Sequence, residues 1–171
     1  MEPHNKRFPQ QWEIVSKHVD FRDKSVLDLG CGYGDMFAAV CLAGGRGFGL
    51  EGNPTIGAAA RLRMVEQGVS PSLIWQMDIE NIEESMPNSQ WDVTICFSVL
   101  PYVDMFNMLK WMSDHSKTAL IEVQYKGDGP GYILNDAEME SILRSYWIFA
   151  DNIGKTLVEY RNTHRTIWLC D

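Results

Sequence analysis

Residues 25–34 read SVLDLGCGYG. A short apolar run stops at three glycines in alternate positions, Gly30, Gly32 and Gly34, and residues 35–43 then follow the apolar spacing of a helix. Because glycine has no side chain, a ligand can approach the main-chain N–H groups at the start of that helix. The stretch therefore predicts strand, glycine turn and helix, with a site for an anionic group between them.

Strands and helices alternate along the rest of the chain. An amphipathic helix that ends near Asp20 comes first, and we expect it to lie across the sheet edge or over the site. Such alternation is typical of an α/β sandwich with a mostly parallel sheet. The remaining strands are predicted at 47–51, 73–77, 91–97 and 118–125, with a closing antiparallel pair at 147–159 and 164–170, and the remaining helices at 53–67, 105–112 and 136–146.

Length and charge limit the function. The 171 residues fit one domain, divided into an N-terminal helical segment, 1–23, and a Rossmann-like core, 24–171. Fifteen Lys and Arg against 23 Asp and Glu give a net charge of −8, which disfavours nucleic acid as a partner.

The longest charge-free apolar run near the middle, 93–103, is about half of the ~20 residues that cross a bilayer. With no secretion-signal pattern at the start, we expect a cytoplasmic protein that spans no membrane.

The four cysteines lie far apart and form no Cys-x-x-Cys pair. This spacing indicates neither a metal site nor a disulfide framework, so we expect small buried side chains at all four positions. The cysteines are Cys31, Cys41, Cys96 and Cys170.

Acidic residues follow the second and third predicted strands. In such a sheet, ligands bind beyond the carboxyl ends of the strands. Glu51 ends the second strand, where a carboxylate can accept hydrogen bonds from both hydroxyls of a ribose, and Asp78 can accept a proton of an adenine amino group. The third glycine of the turn comes one residue earlier than in the dinucleotide fingerprint, which disfavours a nicotinamide cofactor without excluding it.

The segment VLDLGCGYG at 26–34 resembles the first motif of the class I S-adenosylmethionine-dependent methyltransferases. The resemblance covers about 24–171 and implies a seven-stranded, mostly parallel sheet with an antiparallel last strand. It implies S-adenosylmethionine as cofactor, with the methionine portion at the glycine turn and Asp28, the ribose at Glu51, the adenine at Asp78 and Ile79, and the methyl group beside Phe97 and Ser98. The implied cofactor-binding residues are Asp28, Gly30, Cys31, Gly32, Gly34, Glu51, Gly52, Asn53, Asp78, Ile79, Phe97 and Ser98.

The segment after the fourth predicted strand bears on the methyl acceptor. Residues 98–102 read SVLPY, which is not the Asn/Asp-Pro-Pro-aromatic pattern of many base and glutamine methylases and resembles methylases of small molecules and some RNA. We expect a small-molecule acceptor, with tRNA or another RNA as the alternative. An NAD-dependent oxidoreductase and a non-catalytic S-adenosylmethionine-binding module are the remaining readings, and no oligomeric state is indicated. The acceptor-side candidates, which follow the fourth and fifth strands, are Tyr102, Gln124, Tyr125 and Lys126.

Other segments admit both a functional and a structural interpretation. The glycine-rich loop 125–131 is expected to contact or gate the substrate through Lys126 and Asp128. Two small basic groups, 4–7 and 161–165, are expected to be solvated, unless the substrate carries a phosphate. Two roles are open for Phe8, Trp12 and Tyr33, which could form an aromatic lid over the cofactor or belong to the core. No catalytic base is assigned, because none of the four histidines directly follows a predicted strand.

Overall fold

The computed structural model describes residues 6–126, 135–159 and 163–171. Within these ranges, helices and strands alternate as the sequence predicts, except that a short helix that was not predicted lies between the third and fourth strands. The helices are α1 (Phe8–His18), α2 (Asp35–Leu42), α3 (Pro54–Glu66), α4 (Ile82–Ser85), α5 (Met105–His115) and α6 (Asp136–Leu143). The strands are β1 (Ser25–Leu29), β2 (Arg46–Glu51), β3 (Ile74–Gln76), β4 (Trp91–Phe97), β5 (Ser116–Val123), β6 (Ala150–Val158) and β7 (Thr163–Cys170).

The strands form one sheet in the order β3-β2-β1-β4-β5-β7-β6. Strands β1 to β5 pair in parallel, whereas β7 is antiparallel to both β5 and β6. Because β6 is antiparallel to β7, it runs in the same direction as β1 to β5. The Rossmann-like, mostly parallel sheet with a reversed last strand is therefore confirmed.

Side chains of β1 alternate between the two faces of the sheet, as strand geometry requires. Val26 joins a buried apolar cluster with Val15 of α1 and residues of α2. Leu27 and Leu29 join a cluster on the other face, which α5 and α6 cover. Burial of one such side chain stabilises the fold by about 1.5–3 kcal/mol. By the same alternation, Asp28 lies on the face that α1 and α2 cover.

Helix α1 packs on that face and reaches the edge strand β6. Val15 is fully buried, and the side-chain oxygen of Gln10 accepts the N–H of Leu157 at 2.8 Å. Arg7 and Gln11, at the start of the helix, line a cavity at the carboxyl ends of the strands. Helix α1 therefore both crosses to the sheet edge and covers the cavity, which are the two positions that the sequence predicts for it.

Some boundaries differ from the prediction. Helix α5 extends to His115, whose ring Nδ1 is hydrogen-bonded to the carbonyl oxygen of Trp111 at 2.8 Å. Strand β5 ends at Val123, since its ladder with β7 ends there. Helix α6 ends at Leu143, and Trp147 still donates its N–H to the carbonyl of Leu143, so β6 begins only at Ala150.

The cysteines are free thiols, and the expectation that all four are buried is wrong for two of them. Cys96 and Cys170 are buried. Cys31 is half-buried because it lies in the glycine turn beside the cavity, and Cys41 is half-buried in the last turn of α2. Among the described residues, no group of three His, Cys, Asp or Glu side chains could hold a metal ion. No helix in the described ranges has the length and apolar character needed to cross a bilayer.

Candidate active site

The glycine turn has the backbone shape that only glycine adopts easily. The φ angles of Gly30, Gly32 and Gly34 are +69°, +55° and +78°. A Cβ at Gly30 would lie 2.6 Å from Cγ2 of Val99, so this position also lacks space for a side chain. A Cβ at Gly32 would meet nothing within 4 Å. The backbone of Gly32 therefore faces open space that a ligand can enter.

A cavity of about 290 Å³ opens beside this turn. It is lined by the turn itself, by Phe97 and Ser98 at the end of β4, and by Arg7 and Gln11 at the start of α1. The cavity thus lies beyond the carboxyl ends of β1 and β4, where ligands of doubly wound sheets bind.

Asp28 lines this cavity from the end of β1. The residue is 3% exposed, and its Oδ2 has no hydrogen-bond partner among the described residues. Burial, together with the nearby charge of Glu51, raises the pKa of Asp28 to about 7. A buried carboxyl oxygen without a partner is costly, and a cationic donor in the cavity would satisfy it. The carboxyl group therefore fits the ammonium group of an amino acid.

Glu51 connects the end of β2 to the glycine turn. Its Oε2 accepts the N–H of Gly32 at 3.0 Å, and its Oε1 accepts the N–H of Asn53 at 2.8 Å. Each carboxylate oxygen can accept a further hydrogen bond. The role of Glu51 at a ribose stays a prediction, and the structure adds that the same carboxylate holds the turn in place.

The residues expected around an adenine lie at the next strand end. Asp78 accepts the N–H of Glu80 at 3.1 Å and so caps a short 3-10 turn, Ile79–Asn81. A Cβ at Gly52 would lie 3.6 Å from the Cα of Asp78, so the ends of β2 and β3 are in contact. Asn53 caps α3 through the N–H groups of residues 55 and 56. These residues do not line the 290 Å³ cavity, and their cofactor roles stay predictions.

Ser98 follows β4 in a left-handed backbone conformation, with φ at +64°. Its hydroxyl donates to Glu122 and accepts hydrogen bonds from Arg7 Nη2 at 3.0 Å and Arg165 Nη1 at 2.7 Å. One donor and two lone pairs are the full capacity of a hydroxyl. The Ser98 side chain is thus held by protein groups, and its strained backbone lies at the cavity.

Glu122 is the centre of a buried network that sequence reasoning missed. It is fully buried in β5 and pairs with Arg7, while Gln11 Nε2 and Thr156 Oγ1 donate to its Oε1 at 2.9 and 2.8 Å. Arg165 Nη1 lies 3.9 Å from its Oε2. The available signal was a lone acid inside the apolar run ALIEV at 119–123.

This network corrects the interpretation of the two basic groups as solvated loops for Arg7 and Arg165, whereas Lys6 and His164 are exposed as expected. Arg165 is 4% exposed and Arg7 is half-buried, because both guanidinium groups point to the buried carboxylate of Glu122. His4 and Arg161, which belong to the same two groups, lie outside the described residues.

The acceptor-side candidates separate into different environments. Gln124 is buried and, with its amide oxygen turned toward Arg165, accepts from Arg165 Nη2 at 2.7 Å. Tyr125 packs on the face of the sheet that α5 and α6 cover, and its hydroxyl donates a hydrogen bond to Asp136. Burial is the main cause that raises the pKa of Tyr125, and this hydrogen bond is the second cause. The structure does not bring Tyr125 to the cavity.

The other two candidates are exposed. Tyr102 is 65% exposed in a 3-10 turn after β4, and Lys126 is exposed at the end of a described range. Asp128 and the rest of the expected substrate loop lie outside the described residues. A direct role of Tyr102 or Lys126 at the acceptor stays a prediction.

The aromatic residues that could form a lid have separate roles. Phe8 and Trp12 pack against the cluster under α1, where the Trp12 ring stacks on Phe21 with centroids 5.9 Å apart. Tyr33 is 39% exposed and lines the cavity. The core interpretation therefore holds for α1, and only Tyr33 lies at the site.

A family model described as a methyltransferase domain matches residues 26–119, which is more than half of the chain. This chain belongs to the class I S-adenosylmethionine-dependent methyltransferases. The match begins in β1 and ends in β5, so it contains the glycine turn and the strand ends described above. The methyl donor of the family is S-adenosylmethionine, and the alternative of an NAD-dependent oxidoreductase is set aside.

Curated relatives include ubiquinone biosynthesis O-methyltransferases of Pseudomonas. Those of Pseudomonas savastanoi pv. phaseolicola and Pseudomonas fluorescens are 35% and 34% identical to this methyltransferase over 95 residues. The matched region is 56% of this chain and 40% of each relative, so the comparison covers less than half of the relatives' length.

Solved structures with the same fold extend over nearly the whole chain. Magnesium protoporphyrin IX methyltransferase from Synechocystis PCC 6803 with bound S-adenosylhomocysteine is 14% identical, with a TM-score of 0.76 over 97% of this chain and 82% of that one. Mitomycin 7-O-methyltransferase is 18% identical, with a TM-score of 0.65 over 94% and 53%. At these identities the likeness is one of fold.

Proposed function

We propose that this methyltransferase transfers the methyl group of S-adenosylmethionine to a small-molecule acceptor. The observation that carries the proposal is the buried carboxyl group of Asp28, whose Oδ2 has no partner among the described residues, in a residue that lines a cavity beside the open backbone of Gly32. A carboxyl group in this position suits the ammonium group of the methionine portion. The small-molecule O-methyltransferases among the relatives support the acceptor class.

The chain's own residues would bind and orient the donor. Asp28 and the glycine turn would hold the methionine portion, Glu51 the ribose hydroxyls, and Asp78 with Ile79 the adenine. S-adenosylmethionine supplies an activated methyl group on a sulfonium. Phe97 and Ser98 would lie at the reacting end, because they end β4 at the cavity.

Alignment and exclusion of water are the means by which this site would accelerate the reaction. Transfer from a sulfonium is an in-line displacement, so holding donor and acceptor in contact supplies much of the rate enhancement. The first turn of α1 closes one side of the cavity with Arg7 and Gln11. We assign no general base, since no histidine of the described ranges lines the cavity.

Several finer points remain proposals. RNA is a second acceptor class, which the net charge of −8 disfavours. A cytoplasmic location and a single domain, with an N-terminal helical segment at 1–23 and a core at 24–171, stay predictions of the sequence.

The test is calorimetric titration of cofactor-free protein with S-adenosylhomocysteine and S-adenosylmethionine, with NADH as the comparison ligand. We expect saturable binding of both adenosyl ligands and none of NADH. Asp28→Asn and Glu51→Gln should weaken binding, whereas the matched controls Asp151→Asn and Glu13→Gln, at exposed positions away from the cavity, should not. If wild-type protein binds neither adenosyl ligand, the proposal is wrong.

A further inference from the structure

Glu122 does not line the 290 Å³ cavity, yet it holds side chains that do. Its carboxylate accepts hydrogen bonds from the guanidinium of Arg7, from Gln11 Nε2 at 2.9 Å and from the Ser98 hydroxyl. Arg7 and Gln11 lie at the start of α1, whereas Ser98 follows β4. One buried carboxylate outside the cavity therefore joins two separate parts of its lining.

Arg7 brings a positive charge to the lining of this cavity. Among the described residues that line it, Arg7 is the one Lys, Arg or His, whereas Asp28 and Asp35 are acidic. Asp35 pairs with Arg63, whose Nε lies 2.9 Å from its Oδ1. A cationic ligand that enters the cavity is therefore repelled by Arg7 unless another group compensates the guanidinium charge.

The methyl donor and its product differ by one methyl group and by one charge at sulfur. S-adenosylmethionine is a sulfonium cation, whereas S-adenosylhomocysteine is a neutral thioether at the same position. Like charges repel more strongly in a buried site than in water, so an uncompensated guanidinium would disfavour the donor more than the product. The relative affinity of these two ligands is thus a measure of the charge around the cavity.

Glu122 supplies a compensating charge for Arg7. Its side chain is fully buried and its Oε2 pairs with Nη1 of Arg7, so solvent screens the two charges only weakly. Arg165 lies 3.9 Å from the same oxygen but does not line the cavity. The pair of Arg7 and Glu122 therefore brings no net charge to the lining.

We propose that Glu122 is a positioning residue for the methyl donor, whose carboxylate holds Arg7 and neutralises its charge so that the cavity accepts a sulfonium. This inference rests on the proposed function and deepens it, because it names a group outside the cavity that adapts the site to a cationic donor. Glu122 acts through Arg7 and Ser98 and does not line the cavity itself.

The experiment is calorimetric titration of the full chain with S-adenosylmethionine and with S-adenosylhomocysteine, and the measured quantity is the ratio of their dissociation constants. Glu122→Gln leaves Arg7 uncompensated, so we expect the Kd of S-adenosylmethionine to rise about fivefold or more relative to that of S-adenosylhomocysteine. Arg7→Gln removes the positive charge and keeps the carboxylate, so the ratio should shift in the opposite direction. A merely structural role would weaken binding of both ligands alike and leave the ratio unchanged.

A double variant and two controls complete the test. Arg7→Gln/Glu122→Gln removes both charges, so the ratio should return to within about twofold of the wild-type value. Glu13→Gln removes a negative charge at an exposed pair with Lys17, and Leu143→Ala removes buried apolar contacts on the sheet face that α6 covers. Both controls should keep the wild-type ratio.

The outcomes separate this inference from the proposed function. A wild-type ratio in Glu122→Gln or in Arg7→Gln, or a shift in the same direction in both, would overturn the inference. If Glu122→Gln does not fold, the shift in Arg7→Gln and its reversal in the double variant decide the matter. Failure of the wild-type protein to bind either adenosyl ligand overturns the proposed function instead.

Discussion

Ser98 and Glu122 are joined twice, by side chain and by main chain. The Ser98 hydroxyl donates to the Glu122 carboxylate, and the Ser98 N–H donates to the Glu122 carbonyl oxygen at 3.3 Å. The strands that carry them are neighbours, since Phe97 pairs with Glu122 in the β4–β5 ladder. The end of β4 at the cavity is therefore fixed by a buried residue near the end of β5.

Ser98→Ala and Ser98→Gly should differ in stability in a way that separates strain from hydrogen bonding. Alanine loses the hydroxyl and keeps the positive φ, so we expect a loss of about 1–3 kcal/mol in the free energy of unfolding. Glycine also loses the hydroxyl but is unstrained there, so we expect the glycine variant to have a free energy of unfolding about 1–2 kcal/mol higher than that of the alanine variant. Urea denaturation of both variants measures the difference, and a glycine variant no more stable than the alanine variant would show that Ser98 is not strained.

Glu122→Ala should be strongly destabilising. Removal of one partner from a buried ion pair leaves the other charge uncompensated and costs about 3–5 kcal/mol. Glu122 is fully buried with Arg7 and Arg165 around it, so the loss should fall in this range by urea denaturation. The control Glu13→Gln, at an exposed pair with Lys17, should leave the midpoint unchanged. A loss at Glu122 as small as that of the control would contradict the importance of the network.

Asp28 should make the ligand-free protein less stable as the pH rises. Its pKa is raised from 3.8 to about 7 in the folded state, so the folded protein holds the proton more tightly than the unfolded chain. The stabilising contribution is complete below the unfolded value and is lost as the pH rises to about 7. The measurement is the free energy of unfolding of the wild-type protein and of Asp28→Asn, with the difference between them followed from pH 3.8 to about pH 7. A difference that does not change with pH would refute the raised pKa.

Binding of S-adenosylhomocysteine should have the opposite dependence on pH. An ammonium group pairs with the ionised carboxylate, so Asp28 must release its proton when the ligand binds below its pKa of about 7. Affinity should therefore fall as the pH is lowered from this value, by up to about tenfold per pH unit. Calorimetry in two buffers of different ionisation enthalpy would detect the released proton. Asp28→Asn should show no such release, and equal release from both proteins would assign the proton to another group.

Two glycine substitutions should have separable effects. Gly30→Ala places a Cβ 2.6 Å from Val99 and also strains the backbone, so Val99→Ala in the same chain should recover part of its lost stability. Gly32→Ala meets no neighbour, so we expect only about 1–2 kcal/mol of backbone strain. Its methyl group should, however, weaken S-adenosylhomocysteine binding, because it enters the space beside the turn. Unchanged ligand affinity in Gly32→Ala would place the ligand elsewhere.

Local patterns were sufficient to predict the sheet and to place Asp28 and the glycine turn at one strand end. Strands β1 and β4 begin and end at the predicted residues, because each is an apolar run bounded by polar residues or glycine. Asp28 and the glycine turn lie within one short segment, so the sequence alone places them together. The turn and the Asp28 carboxyl lie at the cavity as expected.

The network around Glu122 could not be predicted in the same way, because its residues are distant in sequence. Arg7 and Glu122 are 115 positions apart, and Arg165 belongs to another strand again. A basic residue near a predicted loop is usually solvated, and only the three-dimensional packing shows that these two are not. The lone acid in 119–123 is a signal that was missed, and even this signal does not show which residues pair with it.

The position of β7 has a consequence for the order of assembly during folding. This strand follows β6 in the chain but lies between β5 and β6 in the sheet, so β6 cannot join the sheet until β7 has been made and inserted. Arg165 belongs to β7, whereas Arg7 lies near the other end of the chain, and both donate to the Ser98 hydroxyl. A nascent chain on the ribosome can therefore form the glycine turn early, yet it completes the network around Glu122 only after β7 has emerged. Because such long-range pairing is slow, we expect completion of this network to be a late kinetic step.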